Sequence, residues 1–160
     1  MAGVTSEDQA LLASLADEEE RLVFDRFDHA TAWALGSAMR ERALADGLPI
    51  AIAIRRNGQV LFHAALPGSA ADNDAWLARK AAVVDRYGHS SYLIGCQYRA
   101  RGGDFDTDSR LDRDKYAAHG GAFPLIVSGA GPIGTIAVSG LPQRDDHRFV
   151  VAEIERFLAG

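Results

Sequence analysis

The sequence predicts a single α+β domain in which helices pack on one antiparallel sheet of about five strands. Two pairs of β-rich segments are each joined by a short turn that contains glycine, which is typical of β-hairpins. Segments with helical spacing of apolar residues precede, separate and follow these pairs. Neighbouring hairpins pair antiparallel, so this order favours α+β over a doubly wound parallel sheet. The length of 160 residues fits one domain over residues 1–160.

Two helices and one short strand are predicted in the first part of the chain. The first helix covers residues 6–20, with Ser6 as its cap. Residues 22–24 are predicted to form a short strand. The second helix begins at its cap Asp28 and ends near Ala45. Four residues of this helix are predicted to face inward: Trp33, Leu35, Met39 and Ala43.

The two hairpins supply most of the predicted sheet. Residues 50–54 and 60–65 flank an Asn-Gly turn at 57–58, which is a strong hairpin signal. The first of these segments is apolar on both faces and is therefore predicted to be a central strand. Residues 123–127 and 133–138 form the second hairpin around a glycine-containing loop.

Three further helices are indicated by caps and breakers. One is capped within residues 72–74 and ends at Gly88, and Ser90 caps the next. Residues 99–120 are polar, with one or two helical turns expected around 112–118. The last helix begins near Asp145, after a turn at the end of the final strand. This junction directs backbone N–H groups at one point, which suits an anion or an acidic ligand.

Composition limits the classes of partner. A net charge of −5 and a pI near 5.5 argue against a general nucleic-acid partner. Cys96 is the only cysteine, which excludes an intrachain disulfide and a multi-cysteine metal site. No apolar stretch approaches the ~20 residues of a membrane span, and the N-terminus has no secretory pattern. We therefore expect a cytoplasmic protein without a membrane partner.

Short motifs spread over residues 8–159 together resemble one superfamily. They are Leu22–Asp25, Ala32–Gly36, Asn73–Trp76 with Arg79–Lys80, His89–Ser91, Gly120–Pro124 and Ile133–Pro142 through Asp146–His147. The chain resembles the haem-degrading-domain superfamily of GlcG-like and haem-binding-protein-S-like proteins, and is most similar to its branch of proteins of unknown function. The resemblance implies a profilin-like α-β-α sandwich and a homo-oligomer built from dimers. It also implies a ligand that is haem, another tetrapyrrole or a small organic acid.

Candidate ligand-binding residues lie at three places in the sequence. Lys80 shares an apolar helical stripe with Trp76, so it either binds an anionic group or packs its stem on the indole. Arg79 lies beside it and could join it at a carboxylate or phosphate. His119 precedes a Gly-Gly pair, where backbone can approach a ligand closely. The turn at Ser139–Gly140 completes the predicted pocket.

A second group of candidates follows the glycine break at residue 88. His89 is the histidine with the strongest functional prediction, as a base, an iron ligand or a proton carrier. Ser90 and Ser91 offer hydroxyl groups beside exposed N–H groups, although a serine there is also a good helix cap. If haem binds, a neutral histidine is the natural axial ligand, and Lys80 or Arg79 could pair with a propionate.

No metal site is predicted. The segment Asp104–Asp108 resembles the start of a calcium loop, but Ser109 and Lys115 replace the required glycine and glutamate. The leading hypothesis is a homo-oligomeric small-ligand-binding module with Lys80, His89 and His119 near Ser139. One alternative is an oligomeric interaction scaffold without small-molecule chemistry. Another is an enzyme that uses His89 as a base, so enzyme activity stays open, as does the cofactor.

Overall fold

In the computed structural model, which describes residues 3–160, one antiparallel sheet of four strands is covered by six helices. The helices are α1 (Ser6–Arg21), α2 (His29–Ala45), α3 (Ala71–Tyr87), α4 (Ser91–Ala100), α5 (Phe105–Asp108) and α6 (Gln143–Ala159). The strands are β1 (Ala51–Arg56), β2 (Gln59–Ala65), β3 (Ala122–Val127) and β4 (Gly131–Ser139). The predicted α+β class is confirmed. The segment predicted as an extra strand contributes only an isolated bridge, between Phe24 and Val127.

The sheet has the order β2-β1-β4-β3, and every neighbouring pair is antiparallel. Strand β1 is central, as its apolar sequence predicts, and its residues 51–54 are all buried. Strands β2 and β3 are the two edges. The sheet therefore presents one hairpin at each edge, with β1 and β4 joining the two hairpins in the middle.

Helices pack on both faces of the sheet, which gives the expected α-β-α sandwich. On one face, α2 and α6 enclose the main core, which includes Leu35, Met39, Ile52, Ile54, Phe123, Val150 and Ile154. On the other face, α3 packs on small side chains of the sheet, and this cluster contains Ala51, Ala53, Leu77, Val84, Ala122 and Ala137. The alanines let α3 lie close to β4, so the side chains of α3 reach the end of that strand.

Most helix starts agree with the capping residues read from the sequence. Asp28 and Ser90 accept hydrogen bonds from backbone N–H groups of the helices that follow them, as predicted. The cap of α1 is Thr5 rather than Ser6, because the threonine lies in extended conformation and its hydroxyl bonds the N–H of the third helical residue. At the start of α3 the side chain of a helical residue caps the residue before the helix: the side-chain oxygen of Asn73 accepts from the N–H of Ala70.

Trp33 does not face inward as predicted: its side chain is 68% exposed. The buried stripe of α2 is instead formed by Ala32, Leu35, Gly36, Met39 and Ala43. The contact between Gly36 and the ring of Phe62 sets the orientation of α2 about its axis. A residue with a Cβ does not fit at this position, because the Cβ would overlap the ring. Turning α2 to bury Trp33 would move Gly36 away from the Phe62 ring and place a residue with a side chain there.

Of the one or two helical turns expected at residues 112–118, the structure has a single hydrogen-bonded turn, in which the carbonyl oxygen of Asp112 accepts from the N–H groups of Lys115 and Tyr116, each at 3.0 Å. The helical residues of this segment lie earlier, in α5. At residue 112 the side-chain carboxylate of Asp112 accepts from the N–H of Asp114, which favours a turn instead of a helix.

Helix α1 packs across the outer side of α4. Leu15 is buried in a small apolar cluster with Leu93 and Cys96. At the other end of the helix, two carboxylates of α1 each contact a histidine. Glu18 Oε1 lies 2.8 Å from the Nε2 atom of His147, and Glu19 Oε1 lies 2.6 Å from the Nδ1 atom of His89.

Candidate functional site

Side chains from α3, the end of β4 and the start of α6 surround a cavity of about 240 Å³. It lies on the α3 face of the sheet, where β4 ends and the chain turns into α6. The lining residues are Asn73, Trp76, Lys80, His119, Ser139, Gly140, Leu141, Gln143 and Asp146. Polar groups from three separate parts of the chain therefore meet at one recess.

A buried ion pair forms one wall of this cavity. The Lys80 Nζ atom lies 3.0 Å from Asp146 Oδ2 and 3.2 Å from the carbonyl oxygen of Val138. Lys80 is 3% and Asp146 1% exposed. Burial lowers the pKa of Lys80 and raises the pKa of Asp146, while the charge of each partner opposes the shift of the other. Each charge offsets part of the desolvation penalty that the other incurs when it is buried.

The Asp146 carboxylate also holds the turn that precedes its own helix. Its Oδ1 atom accepts from the N–H of Leu141 at 3.0 Å, and its Oδ2 atom accepts from the N–H of Gly140 at 3.3 Å. These are N–H groups that the sequence suggested would be free for an external anion. That prediction is wrong at this point, because the protein's own carboxylate occupies the position.

Hydrogen-bond donors remain unused around the cavity. An ammonium group has three N–H donors, and Lys80 uses two of them within residues 3–160. The hydroxyl of Ser139 accepts a long hydrogen bond from Asn73, at 3.5 Å, and its own O–H has no acceptor in the described chain. The side-chain oxygen of Gln143 accepts from the N–H of Gly120. The NH₂ group of Gln143 has no hydrogen-bond acceptor within residues 3–160. A ligand rich in acceptors would match these donors.

Two aromatic side chains, Trp76 and His119, also line the cavity. The ring centroids of Trp76 and His119 are 5.1 Å apart, and the guanidinium carbon of Arg79 lies 4.1 Å from the centre of the Trp76 ring. His119 is half-buried, and this burial lowers the pKa of its imidazole. The negative charge of Asp106 opposes the shift, and the positive charges of Lys80, Arg79 and Arg99 add to it. The shift favours the neutral form of the ring, which has one nitrogen lone pair.

Four of the eight candidate residues from the sequence line this cavity: Lys80, His119, Ser139 and Gly140. Arg79 lies next to it, stacked on Trp76, but is not part of the lining. The helical spacing of Trp76 and Lys80, and the turn after β4, were sufficient signals for this part of the site.

The other three candidates lie elsewhere. His89 Nδ1 is 2.6 Å from Glu19 Oε1, and the second oxygen of this glutamate accepts from the N–H of Ser90. The Ser91 hydroxyl oxygen accepts from the N–H of Ala122 at 3.1 Å. Their polar groups thus hold α1, α4 and β3 together. Within residues 3–160, no hydrogen bond joins the imidazole of His89 to either serine hydroxyl, which an enzyme with His89 as base would be expected to use.

The most important residue missed from the sequence is Asp146. In the sequence Asp146 is only part of a motif at the start of the last helix, whereas in the structure its side chain points back to Lys80 and the turn. The useful signal was Lys80 itself, because a lysine on an apolar stripe needs a carboxylate partner when it is buried. Asn73 and Leu141 lie within the motifs that carry the family resemblance but were not assigned to the site, and Gln143 had no recognisable signal.

The described residues contain no group of three or more His, Cys, Asp or Glu side chains arranged to hold a metal ion. Over the same residues, no helix has the length and apolar character needed to cross a bilayer.

Comparison with known proteins places these features in context. The family model described as haem degrading protein HbpS-like matches residues 27–155. A UPF0303 protein of Streptomyces coelicolor is 58% identical over 147 residues, covering 92% of this chain and 93% of that protein. A UPF0303 protein of Burkholderia thailandensis is 51% identical over 140 residues, or 88% of this chain and 85% of the relative.

Solved structures share the fold. The crystal structure of the Ybr137w protein has a TM-score of 0.88 at 31% identity and covers 97% of this chain and 94% of that one. The PduOC:heme complex has a TM-score of 0.61 at 17% identity, covering 96% of this chain and 94% of its own. At 17% identity, this similarity shows only that the two proteins share a fold.

Proposed function

Because the chain belongs to the family of haem degrading HbpS-like proteins, and within it to the UPF0303 proteins, we propose that it binds a small ligand in the cavity beside Lys80. The observation that carries this proposal is the ammonium group of Lys80, which is buried at the cavity wall with one N–H donor left over. Such a donor, held in a fixed position by Asp146, is suited to orienting a ligand acceptor.

The geometry favours a small organic acid as this ligand. The volume of about 240 Å³ lies below the range of roughly 300–1,000 Å³ that is typical of sites for drug-sized molecules, so the ligand has few heavy atoms. A carboxylate would accept hydrogen bonds from Lys80, Ser139 and Gln143. The carboxylate that lines the cavity, Asp146, accepts hydrogen bonds from Lys80, Gly140 and Leu141, and these donors lessen its repulsion of a second acid.

Replacing Ser139 with alanine is expected to weaken carboxylate binding by about 10- to 150-fold, the equivalent of one hydrogen bond to a charged group of ~1.5–3 kcal/mol. The assay measures the thermal shift of the protein with acetate, lactate, pyruvate and succinate, each beside its uncharged amide. His89→Ala, outside the cavity, serves as the control and should bind like wild type. The proposal fails if no carboxylate exceeds its amide, or if the Ser139 variant binds unchanged.

Haem is the second candidate, and the position of the His119 imidazole on the cavity lining, beside the Trp76 ring, is the observation that favours it. A porphyrin is larger than the cavity, so it would lie across the rim with His119 as axial ligand and a propionate on Lys80 or Arg79. Upon titration with hemin, we expect His119→Ala to abolish the shift of the Soret band and His89→Ala to keep it. An unchanged Soret band in the wild type would remove haem from the candidates.

A homo-oligomer built from dimers is part of the same proposal, as are a cytoplasmic location and a single domain over residues 1–160. An interaction scaffold without small-molecule chemistry is the alternative. Native mass spectrometry of the purified protein separates the two functions, since a ligand-binding module can carry a stoichiometric small mass and a scaffold carries none.

A further inference from the structure

A second cavity, of about 180 Å³, adjoins the cavity beside Lys80. It lies between α4, α5 and the segment that leads into β3. His119 belongs to the lining of both cavities, so the two cavities meet at its imidazole. A ligand that extends past this ring therefore reaches a second set of side chains.

The backbone around His119 is held on both sides. The N–H of Ala117 donates to the carbonyl oxygen of Arg79 at 3.1 Å, which connects this segment to α3. Helix α4 contacts the backbone next to the histidine so closely that an added Cβ at Gly95 would overlap the carbonyl oxygen of Ala118. These backbone contacts fix the position of His119 between the two cavities.

The second cavity has an excess of negative charge. Its lining contains the carboxylates of Asp104 and Asp106 and one guanidinium group, that of Arg99. The Nη2 atom of Arg99 lies 3.3 Å from the Sγ atom of Cys96. Within residues 3–160, no ion pair joins this arginine to either aspartate. A positively charged ligand group is therefore favoured here over a second carboxylate.

The two carboxylates of this cavity differ in their contacts. Asp104 Oδ2 accepts from the hydroxyl of Thr107 at 3.0 Å. Asp106 is half-buried, and within residues 3–160 its carboxylate accepts no hydrogen bond. Its charge opposes the lowering of the His119 pKa, which agrees with a position near the boundary of the two cavities. Asp106 is thus the acceptor that a ligand can use.

We propose that the ligand is an amino acid, with its carboxylate at Lys80 and Ser139 and its amine beside Asp106. This inference rests on the proposed function of the first cavity. The ammonium group would pair with Asp106, and the carbon chain would pass the rings of Trp76 and His119. Opposite charges at the two ends of such a ligand match the donors of the first cavity and the carboxylates of the second. Because these groups line separate cavities, an amine at the far end of the chain fits better than one beside the carboxylate.

Calorimetric titration with matched ligands tests this inference. Acids with chains of three, four and five carbons are compared in four forms: the plain acid, the acid with a terminal amine, the acid with a terminal hydroxyl and the diacid. We expect at least one amino acid to bind about tenfold or more tightly than the plain acid of its length, through a charged hydrogen bond to Asp106. The hydroxy acid and the diacid should lack this gain, because neither brings a positive charge.

Three variants assign the preference to one carboxylate. Asp106→Asn should make the amino acid and the plain acid of its length bind equally, whereas Ser139→Ala should weaken the binding of both. Asp114→Asn removes the same charge from an exposed position of the same polar segment, outside both linings, and should retain the tenfold preference.

The outcomes separate this inference from the proposed function. If plain acids bind and no amino acid binds more tightly, if a diacid binds most tightly, or if Asp106→Asn keeps the preference, the amine site is wrong and the carboxylate site remains. If neither plain acids nor amino acids bind, both proposals are wrong.

Discussion

Replacing Asp146 with alanine is expected to lower the free energy of unfolding by about 3–5 kcal/mol. The change leaves the ammonium group of Lys80 buried at 3% exposure without its carboxylate partner. It also removes the acceptor for the N–H groups of Gly140 and Leu141, which hold the turn into α6. Denaturant unfolding at pH 7 with linear extrapolation measures the loss.

Further variants show whether the loss comes from the ion pair. Lys80→Met in the Asp146→Ala background removes both charges, and we expect it to recover the part of the stability lost through the unpaired ammonium group, while the part lost through the N–H groups of Gly140 and Leu141 remains. Asp145→Ala changes the exposed neighbouring carboxylate and is the control with a small effect. If the double variant loses as much stability as Asp146→Ala and Lys80→Met alone lose together, the two side chains do not act as a coupled pair.

Gly121→Ala is expected to have the second largest effect, a loss of about 2–5 kcal/mol, which combines backbone strain with overpacking. The backbone of Gly121 has a φ of +137°, a conformation that residues with a side chain rarely adopt. An added Cβ would overlap the carbonyl oxygen of Val138 and lie 2.6 Å from the Nζ atom of Lys80. The same change should displace the lysine and weaken carboxylate binding.

Gly129→Ala separates these two contributions. Gly129 also has a positive φ, of +80°, but an added Cβ there has no neighbour within 4 Å. This variant should therefore lose only the ~1–2 kcal/mol of left-handed backbone strain. Equal losses in the two glycine variants, measured by the same unfolding experiment, would contradict a packing role for Gly121 beside Lys80.

Local patterns predicted what depends on local geometry. The Asn-Gly turn and the caps Asp28 and Ser90 follow from the conformations that single residues prefer, and they were read correctly. The spacing of Trp76 and Lys80 likewise placed both side chains on one face of α3.

The remaining features depend on contacts between distant residues. Asp146 is 66 residues from Lys80, and their contact arises only when α3 and the start of α6 meet at the end of β4. His89 was expected near the cavity, but its partner is Glu19 on α1, 70 residues away in sequence. Trp33 was assigned to the core because helical spacing does not reveal which face of α2 receives Phe62.

The position of α1 has a practical consequence for truncation. The segment that matches the family model starts at residue 27, after α1, so a recombinant fragment designed on that match would lack this helix. Yet Leu15 shields Leu93, and Glu19 supplies the acceptor for the first N–H group before α4. A fragment intended for crystallography or NMR is therefore best begun upstream of Thr5, the residue whose hydroxyl starts the helix.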